Sequence, residues 1–151
     1  MTSHQTPHGE ILFHLAFPVT DLAATKRFYQ DGLGCELGRE TEKSLIMNLG
    51  GHQLVAHLTQ EALEPQQGIY PRHFGVVCKA QQDWELIRDR AQAQGLTFRI
   101  EPKVRFVDSP LEHSTFFLED PSHNLLEFKF YRHESAIFGQ QTLAMVGDAQ
   151  G

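Results

Sequence analysis

Apolar residues fall into short runs whose period changes from strand-like to helix-like and back, twice, in the same order. Residues 11–19, ILFHLAFPV, form the first run and are rich in strand formers. Thr20 and Asp21 then offer an N-cap, Leu22, Thr25, Phe28 and Tyr29 recur near helical spacing through LAATKRFYQDGL, and Gly34 is placed to end that helix. CELGRET, SLIMNLG and HQLVAHLT follow as three short strands, with Gly50-Gly51 marking the turn between the last two. After the connection EALEPQQGIYP the order returns. RHFGVVCKA (72–80) reads as a strand, and QQDWELIRDRAQAQ as a helix with Trp84, Leu86, Ile87 and Ala91 apolar and Gly95 closing it. LTFRIEP, KVRFVD, HSTFFLED and NLLEFKFY then read as strands, with DPSHN as a turn. The chain is therefore expected to be α+β, two βαβββ modules forming a curved mixed sheet around a cleft. The modules span about 11–60 and 72–131 of a single domain, 11–133, between a flexible N-terminal segment, 1–10, and a C-terminal tail, 134–151.

Charge narrows the function classes. Thirteen Lys plus Arg stand against nineteen Asp plus Glu, a formal net charge of −6, and no basic run is present. Nucleic acid is an unlikely partner on that balance. No window approaches the roughly 18 consecutive apolar residues of a membrane helix, and MTSHQTPHGE has neither a basic start nor an apolar signal core. A soluble, cytoplasmic protein without membrane partners is expected. Cys35 and Cys78 lack CxxC spacing and are expected to be reduced. There is no GxSxG elbow, phosphate-binding glycine loop or zinc-finger spacing.

Histidine is the residue in excess, nine in 151. The repeat gives two of them a meaning, because His14 and His73 fall in register, 59 residues apart, each near the start of its module's first strand. On alternating strands His14 shares a face with Leu12, Ala16 and Pro18, and His73 shares one with Gly75 and Val77, so small residues leave room beside both imidazoles. Late in each half stand two further candidate ligands, His57 in HQLVAHLT and Glu127 in NLLEFKF. A carboxylate inside LLEFKF is costly to bury unless a cation or hydrogen bonds compensate it. Two imidazoles and a carboxylate from separate strands form a nitrogen and oxygen donor set suited to Fe(II), Mn(II), Zn(II) or Ni(II).

The segments FHLAFPVTDLAATKRFYQDGLGCELG, GHQLVAHL, PRHFGVVC and LEDPSHNLLEFKF closely resemble the vicinal oxygen chelate superfamily, which includes glyoxalase I, extradiol dioxygenases, fosfomycin-resistance proteins and bleomycin-binding proteins. Within it the chain is most similar to a bacterial group of predicted extradiol-type dioxygenases. The resemblance covers roughly residues 11–133 and is more specific for the fold than for the reaction. It implies paired βαβββ modules around a metal cleft, first-strand ligands at His14 and His73, and a last-strand acid at Glu127.

His57 separates the readings the resemblance implies. In glyoxalase I the late strand of the first module supplies a fourth ligand, whereas extradiol dioxygenases use two His and one Glu and leave open positions for substrate and oxygen. Phe117 stands where the dioxygenase pattern has a catalytic Tyr, and His123 where it has Gly or Pro. Phe cannot donate a proton, which weakens the ring-cleaving reading. His113, just before STFFLED, is a candidate acid or base, and Lys103 and Arg105 alternate on one face of KVRFVD as candidates to orient an anionic substrate. His4, His8, His52, His123 and His133 are read as surface or structural. The leading expectation is a metal-dependent enzyme that chelates a small substrate through two neighbouring oxygens, an extradiol-type dioxygenase using Fe(II) or Mn(II). The catalytic candidates are Glu127, His57 and His113, and the metal candidates are His14, His73, Glu127 and His57. The alternatives are a glyoxalase-like isomerase or lyase using Ni(II) or Zn(II) with His57 as fourth ligand, and a non-catalytic binder of a small antibiotic-type molecule. Extended sheet edges and apolar helix faces point to a homodimer.

Overall fold

The computed structural model describes residue 6 and residues 9–147, so His4 and His8 and the outermost parts of both expected tails lie outside the described residues. Strand β1 (His14–Val19) begins at the first candidate ligand rather than at the start of the apolar run. Asp21 caps helix α1 (Leu22–Lys26), its side chain accepting from Ala24 N at 3.0 Å. A π-helical turn, Arg27–Gly32, extends α1, and Gly34 ends it at φ +78°. Of the stripe predicted from spacing, Thr25, Phe28 and Tyr29 are buried. Strands β2 (Glu36–Glu40), β3 (Ser44–Leu49) and β4 (His52–Leu58) complete the module, with β1 parallel to β4 and the order β1-β4-β3-β2.

The second module repeats this layout. Strand β5 (Phe74–Cys78), helix α2 (Gln81–Ala93) and strands β6 (Thr97–Arg105), β7 (His113–Glu119) and β8 (Leu125–Tyr131) give the order β5-β8-β7-β6, with β5 parallel to β8. The predicted repeat thus appears as two four-stranded mixed sheets of the same topology. Three details differ from the sequence reading. His73 precedes β5 instead of lying inside it. The segments LTFRIEP and KVRFVD form one strand, β6, with register shifts around Phe98–Ile100 and Ile100–Lys103; Pro102 is tolerated there because β6 is a sheet edge, where a missing N–H breaks no ladder. Leu86 is exposed, since Trp84, Ile87 and Ala91 make the inward stripe of α2 and position 86 turns away from it.

One apolar cluster joins the modules. Phe17 and Leu54 of the first sheet pack with Phe116 and Phe128 of the second, α1 adds Phe28 and Tyr29, and α2 adds Trp84. Phe17 meets Phe74 at 5.2 Å between ring centroids, and Trp84 anchors α2 by donating from Nε1 to Phe128 O at 2.8 Å. A polar link crosses the same junction. The Tyr29 hydroxyl donates to Asp120 Oδ2 at 2.8 Å, and the DPSHN turn that carries Asp120 also receives Thr20 N on Ser122 Oγ at 3.0 Å and gives Asn124 Nδ2 to Pro18 O at 3.0 Å. Beyond β8 the chain makes a 3-10 turn, Glu134–Ala136, with Ala136 buried. Cys35 and Cys78 are free thiols whose burial pushes them up to about 12 and about 11, which makes neither a ready nucleophile. Among the described residues no helix is long and apolar enough to cross a membrane.

Tyr29→Phe removes the donor to a buried carboxylate without changing shape. It is expected to lower unfolding free energy by about 1–3 kcal/mol, read as a lower denaturation midpoint at unchanged slope.

Candidate functional site

The alternation of β5, β7 and β8 places one set of side chains away from the shared core. Gly75 pairs with Glu127, Val77 with Lys129, Phe117 with Glu127, Thr115 with Lys129 and His113 with Tyr131, so Glu127, Lys129, Tyr131, His113, Thr115 and Phe117 lie on one face. His73, two residues before Gly75, is held against it. Its Nδ1–H donates to Ile69 O at 2.8 Å, which directs Nε2 to Glu127 Oε1 at 3.2 Å.

Glu127 is 5 % exposed, and its carboxylate meets three side chains, His73, Thr115 and Lys129. Oε2 accepts from the Thr115 hydroxyl at 2.6 Å, and Oε1 also lies 3.5 Å from Lys129 Nζ. Burial pushes the carboxyl up, but the hydrogen bonds from His73 and Thr115 and the Lys129 charge outweigh it, so Glu127 stays below its ordinary range. The hydrogen bond to Glu127 holds the His73 imidazole above its usual value, against the opposing effect of burial. Gly75 is small for another reason than room beside an imidazole. A Cβ there would collide with the Glu127 backbone, so the close approach of β5 to β8 requires glycine.

Phe117 is fully buried and packs edge-on against the His73 ring, 4.9 Å between centroids at 78°. It holds the ring in place and offers no proton. His113 is buried, its Nδ1–H donating to Leu111 O at 2.9 Å, and among the described residues its buried Nε2 has no hydrogen-bond partner. Burial is the main cause that holds this imidazole below its ordinary value, so it is neutral. Arg105, paired with His113 across β6 and β7, is buried with its guanidinium over the Phe117 ring at 5.9 Å, whereas Lys103 is exposed.

The first module's candidates lie elsewhere. His14 is exposed, its Nδ1–H donating to Gln53 Oε1 at 2.7 Å, so its Nε2 too is left as the free lone-pair atom. Within one chain, and among the described residues, no three His, Cys, Asp or Glu side chains come close enough to hold a metal ion. The structure therefore brings together His73 and Glu127 but not His14. His57 is exposed and paired with Pro18, four residues beyond His14 on β1, about 13 Å along the strand. The repeat itself points to another residue: Gly75, two after His73, pairs with Glu127, and Ala16, two after His14, pairs with Val55. The counterpart of Glu127 in the first module is thus Val55, and His57 corresponds to Lys129. His52 accepts from Phe13 N at 3.0 Å, and His123, at φ +68°, contacts Glu119 at 2.8 Å, both structural partners as read from the sequence.

Thr115, Lys129 and Tyr131 escaped the sequence reading. Lys129 stands two residues after Glu127 in EFKF, which puts it on the same face, but Thr115 is found only through the β7–β8 register. Volume does not mark the site either. A groove of about 650 Å³ lies between the β3–β4 turn and β5 and α2, and Glu127 does not line it, while His73 lines a smaller one of about 320 Å³ with Pro18, Leu63 and Arg72.

Because His113 is buried neutral, the unfolded chain takes up a proton here before the folded one does. Its share of stability is present above the ordinary histidine value of 6.5 and is lost as pH falls through it. Thermal unfolding followed from pH 8 to pH 5 (about the span over which histidine titrates) is expected to show wild type losing more stability than His113→Gln, and a flat difference between the two would contradict the assignment.

Residues 11–128 match the Glyoxalase/Bleomycin resistance protein/Dioxygenase superfamily. Comparison with curated proteins finds no match. Among solved structures, a glyoxalase/bleomycin resistance protein/dioxygenase from Alicyclobacillus acidocaldarius is 36% identical, with a TM-score of 0.81 over 85% of this chain and 97% of that one. A mutant of the fosfomycin resistance protein FosX from Listeria monocytogenes, complexed with Mn(II) and 1S,2S-dihydroxypropylphosphonic acid, is 16% identical, with a TM-score of 0.64 over 85% and 96% of the two chains. A lactoylglutathione lyase from Agrobacterium tumefaciens is 18% identical, with a TM-score of 0.62 over 88% and 99%. Two modules of repeated topology, an imidazole paired with a buried carboxylate on the second, and a family match over most of the chain agree: the chain belongs to the glyoxalase/bleomycin resistance/dioxygenase superfamily.

Proposed function

We propose that the protein is a divalent-metal enzyme that binds a small substrate through two neighbouring oxygens, with His73 and Glu127 of one chain and His14 of a second copy as the metal ligands. The observation that carries this reading is the contact of the half-buried His73, through Nε2, with the buried Glu127 Oε1 at 3.2 Å, in which Ile69 O holds the opposite ring nitrogen. Two converging donors of this kind fit a cation that takes nitrogen and oxygen ligands. His14 has the matching arrangement, Nδ1 tied to Gln53 and Nε2 free, but on an exposed face. β1 and β5 are both sheet edges, and Ile11, Leu12 and Phe13, 54–70 % exposed, precede β1. An apolar run of this kind beside an open edge favours a homodimer, and two-fold symmetry would make two identical sites.

Three protein ligands leave positions for two substrate oxygens, and the bound metal would act there as a Lewis acid, or as a redox centre if it is iron or manganese. Val55 at the counterpart of Glu127 favours the three-ligand set over a glyoxalase-like four-ligand one. Within the superfamily this supports the extradiol-type dioxygenase reading, with Fe(II) or Mn(II). Phe117 packs on His73 and takes no part in proton transfer. His113 takes that role instead, since its neutral Nε2, without a hydrogen-bond partner among the described residues, can accept a proton from a substrate hydroxyl. A purely apolar binder has no use for a buried carboxylate ringed by His73, Thr115 and Lys129, which counts against the non-catalytic reading.

Metal analysis and anaerobic Fe(II) reconstitution, followed by oxygen uptake on a catechol panel, test the proposal. His14→Ala, His73→Ala and Glu127→Gln should each abolish stoichiometric metal, and His57→Ala should retain it. Mixing His14→Ala with Glu127→Gln chains should restore about a quarter of the wild-type sites, because each mixed dimer rebuilds one. Absence of any recovery would rule out the shared site. Isomerisation of a hemithioacetal without oxygen uptake on any catechol would replace oxygenation by the isomerase reading.

A further inference from the structure

The carbonyl that orients His73 sits on a loop with little apolar packing of its own. Between Gln66 and Arg72 only Ile69 is buried, against Phe117, Leu125 and Ile100, while Gln67, Gly68, Tyr70, Pro71 and Arg72 are exposed. A buried side chain anchors Ile69 but does not aim its carbonyl oxygen, which depends on how the backbone around it is held. Polar bonds do this from two sides. The Gln66 side chain closes the loop on itself, Nε2 donating to Gly68 O at 2.7 Å and Arg72 O at 3.1 Å while Oε1 accepts from Arg72 N at 3.2 Å. Arg99 ties the loop to the second sheet, its Nη2 donating to Gln66 O at 3.3 Å and to Gln67 O, and its Nη1 to Glu119 Oε1 at 3.4 Å. Glu119 is held in turn by His123, whose Nδ1 lies 2.8 Å from Oε2.

The register of β6 explains how Arg99 reaches the loop. Phe98 pairs with Leu118 and Ile100 with Phe117, consecutive residues on β7, so Arg99 is an extra residue in β6, a bulge of the kind that re-aims a side chain. Ile100, directly after it, packs on Ile69. One irregularity thus supplies the loop with both an apolar seat and a guanidinium on its carbonyls. We infer that Arg99 is a positioning residue for His73: through the Gln66 and Gln67 carbonyls, and with Gln66 closing the loop, it fixes the Ile69 oxygen that holds Nδ1 and so aims Nε2 at Glu127. The inference rests on His73 being a metal ligand only for its consequence in metal affinity; the orientation of the ring is a property of the metal-free chain.

Both are measurable on the full chain. Nitrogen–proton correlation spectra of the metal-free protein should show a His73 Nδ1–H protected from exchange with water, identified by its absence from His73→Ala. Arg99→Ala should open that proton to exchange and weaken Mn(II) binding, titrated with the metal alone, by about tenfold. Arg99→Lys, which keeps one cationic donor, should recover part of both losses, and Gln66→Ala should reproduce them from the other side of the loop, which decides the matter if Arg99→Ala does not fold. Tyr29→Phe, a destabilised chain with an intact loop, should leave both unchanged. If the wild type binds no Mn(II), the metal reading falls, and the Nδ1–H signal alone decides this one. Lower stability in Arg99→Ala and Gln66→Ala with the His73 Nδ1–H still protected, or no protected Nδ1–H in the wild type, overturns the inference.

Discussion

A carboxylate in the middle of a sheet sets the terms for the second module. Glu127 lies on β8, a central strand with β5 on one side and β7 on the other, where an unpaired charge would cost several kcal/mol. Every neighbouring strand contributes to offsetting that cost. β7 supplies a hydroxyl, β8 itself an ammonium, the residue before β5 an imidazole, and β5 a glycine that lets the two backbones approach. Removing one partner leaves the others facing a group they no longer balance, which makes this arrangement a single unit more than a sum of contacts.

A second buried acid shows that burial alone does not define a site. Asp120 accepts from Tyr29, Ser122 N and Asn124, all neutral donors, and burial outweighs them and holds its carboxyl above the ordinary range. Glu127 is held below it, because an imidazole and an ammonium stand beside it. The contrast matches the two roles. Asp120 ties a turn of one module to helix residues of the other through the hydrogen bonds it accepts, whereas Glu127 is held as an anion beside two cationic partners.

Much of the fold was legible because each module announces its own period: the run 14–19, the caps at Asp21 and Gly34 and the strands around Gly50-Gly51 appear where spacing predicts them. The repeat also singled out His14 and His73 from nine histidines, and the apolar run LLEFKF singled out Glu127 from nineteen acids. What remained hidden depends on register across strands. His57 and Glu127 both stand late in their halves, but the ladder makes Val55 the counterpart of Glu127, two residues before His57 on the same face, a difference that leaves no trace in the alternation. Thr115 supports Glu127 only through β7–β8 pairing, and the burial of Arg105 depends on what lies over an edge strand, neither of which a linear pattern encodes.

The two halves share a topology but not an exposure. In the second module the polar side chains hold one another around a buried carboxylate, so a change at Thr115 or Lys129 is felt by the fold. In the first, His14, Ala16, Pro18 and His57 are exposed, so substitution there costs little buried packing. Selection can therefore see His14 only through what it binds. Of two modules with one topology, the second therefore couples its polar face to folding, and the first leaves its own to solvent.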